Sequence, residues 1–268
     1  MARPHTTFHT LTALVLLGAL VFVFASLGNW QLSRAAQRDA IRLAIDAGRG
    51  SAPLALGVDT PAVEMVPWRP ATAHGHWRHD LTVLLENRNY QGRPGYWVAT
   101  PLVLDESSST AVLVLRGWLP RQASFPQSPP TVPAPAGEQA ISGELLDRVP
   151  RLFELWSWSD NSATQLPKKL PDPERPLPSL QNLDLAAYSA ATGLKFKPAV
   201  LAQTSAAASP ESADGGAQLL HEWPEPSLDS DKNRGYALQW FGFAPIAAIA
   251  WLVIAWRALR RRKSPPIL

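Results

Sequence analysis

The sequence predicts a membrane protein of the α+β class, with two transmembrane helices flanking a mostly antiparallel β extracytoplasmic domain. Three observations carry that expectation. Apolar runs near the start and the end each reach the roughly 20 residues that cross a bilayer core. Between them, residues 31–234 hold β-branched and aliphatic runs broken by glycine and proline, the pattern of successive hairpins. Arg257, Arg260, Arg261, Arg262 and Lys263 follow the second apolar run and favour a cytoplasmic C-terminus by the positive-inside rule.

The elements follow in order. A short cytoplasmic N-terminus (1–10) leads into a first span (11–30), "LTALVLLGALVFVFASLGNW", set in a stretch without charge between Arg3 and Arg34. The run is long and its basic flank thin for a cleaved signal peptide. Trp30 suits an interfacial anchor. "WQLSRAAQRDAIRLAIDA" keeps helical periodicity, with Trp30, Arg34, Arg38 and Ile41 on one face, so the helix is expected to leave the membrane and end near Gly48. The β-rich domain (31–234, with proline-rich loops) then offers "ATAHGHWRHDLTVLLENR" as strand, turn around Arg78–Asp80, and strand. "RPGYWVATPLVL" and "TAVLVLRGWLP" follow as strands around the turn "DESSS", with "AISGELLDRV" a further candidate. "FPQSPPTVPAPAG" and "LPKKLPDPERPLPS" read as extended linkers. "NLDLAAYSAATG" reads as a short helix capped by Asn182 and stopped by Gly193. "LKFKPAVLAQ" is a late strand and "TSAAASPESADGG" a flexible loop. The second span (235–256) contains Pro245, a break in the helix ladder, and the basic tail (257–268) closes the chain.

Composition removes several classes of function. Among 268 residues there is no cysteine, which excludes disulfides, zinc ribbons and thiol redox chemistry. Two methionines argue against a soft-ligand copper carrier. A net charge of +3, scattered along the chain, does not point to nucleic acid; the basic tail points to membrane lipid.

Few motifs carry chemistry. His74 and His76 share one face of a strand, and with His79 they are weak candidates for a transition-metal site; a half-exposed, histidine-rich strand and turn is the alternative. No nucleophile elbow and no phosphate-cradling glycine loop is present, so the expectation is a protein that is not an enzyme. Arg88 and Arg116 each end a hydrophobic strand. Two readings stand: solvent-facing or carboxylate-paired cations, or forks that meet an anionic group. Asn87 is placed to cap the turn "NRNYQGRPG", where Gly92 and Gly95 supply freedom at positive φ.

"LGNWQLSRAAQRDAI", "LLENRNYQGRPGYWVATPLVL", "VLVLRGWLP" and "GYALQWFGFA", in that order between two spans, resemble the surfeit locus protein family of cytochrome c oxidase assembly factors. The resemblance implies a non-enzymatic factor that assists haem a insertion into a haem–copper oxidase or stabilises its catalytic subunit during maturation. The partners implied are that catalytic subunit and other assembly factors. The implied location is the cell inner membrane, multi-pass, with the large loop in the periplasm; Met1–Phe8 lacks transit-peptide character, which favours a bacterium. Trp30, Gln31, Arg34, Asn87, Arg88, Gly95, Arg116, Gly117 and Trp118 are the family-motif and contact positions. The implied cofactor is haem a, held transiently near Asn233, Arg234, Tyr236 and Trp240. In the family a histidine, the proposed haem ligand, usually stands three residues before that tyrosine; here Asn233 stands there. His221, His74, His76 and His79 are the histidines that could replace it. A periplasmic metal-binding module built on the last three is the alternative function.

Overall fold

The computed structural model describes residues 4–121, 132–153, 166–174, 177–204 and 219–263, with side chains from residue 8 to 260. In chain order the elements are α1 (Pro4–Arg49), β1 (Leu54–Leu56), β2 (Pro70–Trp77), β3 (Val83–Tyr90), β4 (Arg93–Asp105), β5 (Thr110–Pro120), β6 (Glu138–Leu146), β7 (Ser179–Leu180), α2 (Leu185–Thr192), β8 (Lys195–Gln203) and α3 (Ser230–Lys263). They form two compact units. Met1–Leu43 with Pro226–Leu268 make a helical unit, and Ala44–Glu225 make a sheet unit.

The helical unit contains most of α1 and all of α3, and both helices are long and apolar enough to cross a membrane. They pack through small residues and aromatic rings. A side chain at Gly28 would meet the Phe241 ring at 2.7 Å. Phe24 stacks on Trp240 with ring centroids 5.8 Å apart, and Trp251 Nε1 donates to the Leu14 carbonyl at 2.9 Å. Close approach over small residues is how apolar helices associate where the surrounding solvent is itself apolar. α3 continues through Pro245. The side chains of Arg261, Arg262 and Lys263 lie outside those described.

In the sheet unit, eight strands join in the order β1-β2-β6-β8-β5-β4-β3-β7, and β2 pairs again with β4. That second pairing closes β2, β6, β8, β5 and β4 into a ring, leaving β3, β7 and β1 as extensions. The pairings β1–β2, β3–β7 and β5–β8 are parallel, so the sheet is mixed, where a mostly antiparallel one was expected. One core cluster joins Ala71, Ala73, Trp77, Leu102, Val112, Val114, Ile141 and Leu201. A second lies on the opposite face of β5, around Leu113, Leu115, Trp97, Trp118 and Tyr188. β5 is buried on both faces, which is why its sequence runs apolar without alternation. β2 is buried on one face, and there His74 and His76 point outward.

Local chemistry explains the boundaries. The β3–β4 hairpin turns through Gln91 (φ 48) and Gly92 (φ 78), and two successive positive φ values are what a type I′ turn requires. The expected role for Gly95 is corrected: it is not at positive φ. A side chain there would strike the Leu119 carbonyl and the Trp118 ring, both at 2.4 Å. The N-cap of α2 is also corrected. Asp184, not Asn182, accepts from the Ala187 N–H, while Asn182 ties down Leu152 through both its N–H and its carbonyl. Gly193 ends α2 in the left-handed region as expected. Beyond Thr204 the expected flexible loop lies outside the described residues, as does most of the proline-rich stretch from Phe125.

Candidate functional site

Two β-bulges place the two strand-end arginines. In β3, Leu85 pairs with Trp97 and Arg88 with Gly95, so β3 carries one residue more than β4 between those pairs. Asn87 takes up the extra residue at φ 59 and does not cap the turn. Strict alternation from Val83 and Leu85 would turn Asn87 inward and Arg88 outward; the bulge reverses this. In β5, Leu115 pairs with Ala99 and Gly117 with Val98, so Arg116 is the extra residue. It keeps the face of Val112 and Val114, and Trp118 swings to the other.

Each arginine lies on an indole. The Arg88 guanidinium sits 4.4 Å from the Trp97 ring centroid and that of Arg116 sits 4.7 Å from Trp77. Both residues are only 5% exposed. Arg88 Nη2 donates to the carbonyls of Pro150 and Gln181 at 2.8 and 3.2 Å, and its own carbonyl accepts from Trp118 Nε1 at 2.6 Å. Arg116 Nη2 donates to the Pro133 carbonyl at 2.6 Å. Neither forms an ion pair among the described residues, and burial alone pulls both pKa values down to about 10. Both remain cations at neutral pH, so the fold carries an unfavourable burial term of roughly 3 kcal/mol for each. The two readings from sequence resolve: the arginines are neither solvent-facing nor carboxylate-paired, and they sit on different faces, so one anion does not bridge them.

The neighbouring motif residues serve these placements. Gly117 (φ +148) brings β5 so close to the returning chain that a side chain would meet Leu219 Cβ at 2.8 Å. Trp118 exchanges backbone hydrogen bonds with Leu220 at 2.7 and 3.0 Å. Beside Trp118, a cleft of about 220 Å³ is lined by Tyr90, Trp97, Trp223, Glu222, Asn89 and Gln91. It is smaller than the ~300–1,000 Å³ usual for ligand pockets. Sequence reading did not find Trp77, Trp97 and Trp223, because these rings meet their partners through strand pairing.

At the entrance to the apolar part of the helical unit, Asn233 Nδ2 donates to Gln31 Oε1 at 2.6 Å. Asn233 Oδ1 is buried with no hydrogen-bond partner among the described residues. The cations that could have met an anionic ligand are already paired: Arg234 with Asp39 at 2.5 Å and Asp231 at 2.9 Å, Lys232 with Asp229 at 2.9 Å. Arg38 donates to the Asp229 carbonyl and Arg42 to that of Leu228. Trp240 is held against Phe24 and Phe243. Tyr236 and Trp30 are each 54% exposed, and Arg34 is exposed with its fork on Gln37. The entrance is therefore a helix–helix clasp edged with free aromatic surface.

The histidines do not converge. His74 and His76 are exposed on the outer face of β2, while His79 turns away to the Pro135 carbonyl at 3.1 Å. Among the described residues no group of three His, Asp or Glu could hold a metal ion. His221 lies near Arg116 and the Gln203 backbone, and burial lowers its pKa, as it does that of His79.

A sequence profile of the SURF1 family matches residues 18–245. Uncharacterized SURF1-like proteins of Mycobacterium bovis and of two strains of Mycobacterium tuberculosis are each 26% identical over 263 residues, covering 95% of this chain and 88% of the relative. The match takes in the stalk of α1, both bulged arginines and the amide clasp. This chain belongs to the SURF1 family.

Proposed function

We propose that this chain is a non-enzymatic assembly factor for a haem–copper cytochrome c oxidase and that it stabilises the catalytic subunit during maturation. It is set in a bacterial inner membrane with residues 31–234 in the periplasm. The observation that carries this reading is membership of the family over residues 18–245. The two membrane-length helices support it: their outward faces, including Leu16, Phe22, Leu238 and Ile246, are exposed within the chain and suit lipid or the helices of a membrane partner.

Haem a is the cofactor the resemblance implied, and Asn233, at the position of the family histidine, does not fit an axial ligand. Asn233 offers a carboxamide where haem iron takes imidazole, thiolate, thioether or phenolate, and its amide nitrogen is committed to Gln31. The reading therefore assigns stabilisation of the catalytic subunit to this chain and no iron ligation at residue 233. The metal-module alternative has no observation in its favour, since His79 turns to the Pro135 carbonyl, away from His74 and His76.

Deleting the gene and recording reduced-minus-oxidised spectra of membranes tests the proposal. The haem a band of the oxidase is expected to fall and to return when the intact chain is supplied. An undiminished band in the deletion strain contradicts it.

A further inference from the structure

The directions of β2, β5 and β8 bring one end of the closed ring into view. β2 and β8 are each antiparallel to β6, and β8 is parallel to β5, so all three finish at the same rim. Trp77 ends β2, Gln203 ends β8 and Arg116 lies near the end of β5. Buried polar atoms without partners collect there. Among the described residues, Arg116 Nη1, Trp77 Nε1 and His221 Nδ1 are all buried and make no hydrogen bond. His79 joins them, its ring 6.3 Å from that of Trp77.

Nearly all buried polar atoms in folded proteins find a partner, and each exception calls for an explanation. Here three occur together around a cation whose neighbours supply no negative charge. Among the described residues the only acceptor on the Arg116 guanidinium is the Pro133 carbonyl, and the second carbonyl of the same strap, Pro135, faces His79. A neutral carbonyl is a weak counter-group for a buried guanidinium; a carboxylate can accept from two N–H groups of the fork at once. The strap from Val132 to Ala136 is thus held by contacts that a stronger acceptor would outcompete.

We propose that the rim around Arg116 is a carboxylate-binding site. The incoming carboxylate displaces the Pro133 carbonyl and accepts from the Arg116 fork and from Trp77 Nε1, with His79 and His221 beside it. Two sources share this chemistry: a free small carboxylate, and an Asp or Glu side chain of a partner polypeptide. The site stands independently of the oxidase reading, since it rests only on the sheet unit.

The test uses the full-length protein purified in detergent, with thermal unfolding followed at constant ionic strength. The probes are acetate, the peptide acetyl-Gly-Glu-Gly-amide, and the neutral controls acetamide and acetyl-Gly-Gln-Gly-amide. The expected result is a saturable rise in unfolding midpoint with acetate or the glutamate peptide and none with the neutral controls. Saturation by acetate at lower concentration assigns the site to a small carboxylate; saturation by the peptide first assigns it to a side chain. Arg116→Leu is expected to weaken the response by more than about tenfold. Should that variant not fold, Trp77→Phe, which removes the indole N–H, is expected to weaken it in the same direction. No saturable response, an equal response to the neutral controls, or an undiminished response in a folded Arg116 or Trp77 variant overturns the proposal.

Discussion

The helical unit and the sheet unit handle positive charge in opposite ways. At the helical entrance, Arg234 and Lys232 are partly exposed and each has a carboxylate within 2.9 Å. In the sheet unit, Arg88 and Arg116 are buried on indole faces with carbonyl acceptors only. Exposed pairs contribute little because water and salt screen them, whereas a buried cation without a counter-ion is unfavourable unless its donors and its ring contact compensate. The entrance charges therefore refine a helix pair that apolar packing and the Asn233–Gln31 clasp already define. The buried arginines are structural centres on which distant loops depend: Pro150 and Gln181 on one, Pro133 on the other.

The comparison can be broken most severely at Gly95. Gly95→Val forces a side chain into the Leu119 carbonyl and the Trp118 ring, and overpacking of this kind is expected to destabilise the sheet unit by about 3 kcal/mol or more. Limited proteolysis of the purified protein should then cut within Ala44–Glu225 far faster than in the wild type. Next comes Arg88→Lys. It keeps the charge and loses the planar fork on Trp97 and the two-carbonyl contact, an expected cost of about 1–3 kcal/mol, read as a lowered denaturant midpoint.

A pH profile sharpens the contrast further. His79 and His221 have pKa values lowered chiefly by burial; the Arg116 charge adds to this, and Asp80 works against it at His79. The unfolded chain thus binds protons at a higher pH than the folded one. The stability these groups contribute is present above the ordinary histidine pKa and is lost as pH falls through the lowered values. The unfolding midpoint should fall from pH 7.5 to pH 5 by more in the wild type than in His79→Gln. The smallest effect is expected for Arg234→Ala, no more than about 1 kcal/mol and shrinking with added salt; a larger loss would make the entrance charges structural after all.

Much of the fold was legible because its signals are local. The two spans follow from length and apolarity, the β3–β4 hairpin from a Gln91–Gly92 turn between apolar runs, and the end of α2 from Gly193. Ring closure was not legible, since it depends on β2 meeting β4 a second time and on a parallel β5–β8 pairing between strands far apart in sequence. β1 and β7 are too short to give a period. The arginine–indole pairs escaped for a sharper reason: one inserted residue changes which face every later side chain occupies, and nothing in "LLENRNY" or "VLRGW" marks the insertion until the partner strand is in place. Of the site residues, Asn233 bonds to Gln31, a contact between separate helices that no local pattern announces.

The central claim is that this chain works by contact and does not ligate iron at residue 233. Its most direct test is the paired substitution Gln31→Leu with Asn233→Leu, which removes both amides of the clasp, and with them any ligating atom at residue 233, while keeping similar volume; replacing both partners of a hydrogen bond together is close to neutral. Expressed in the deletion strain, this variant should restore the oxidase haem a band to near the wild-type level. A variant present in membranes at the normal amount that leaves the band absent would contradict the claim.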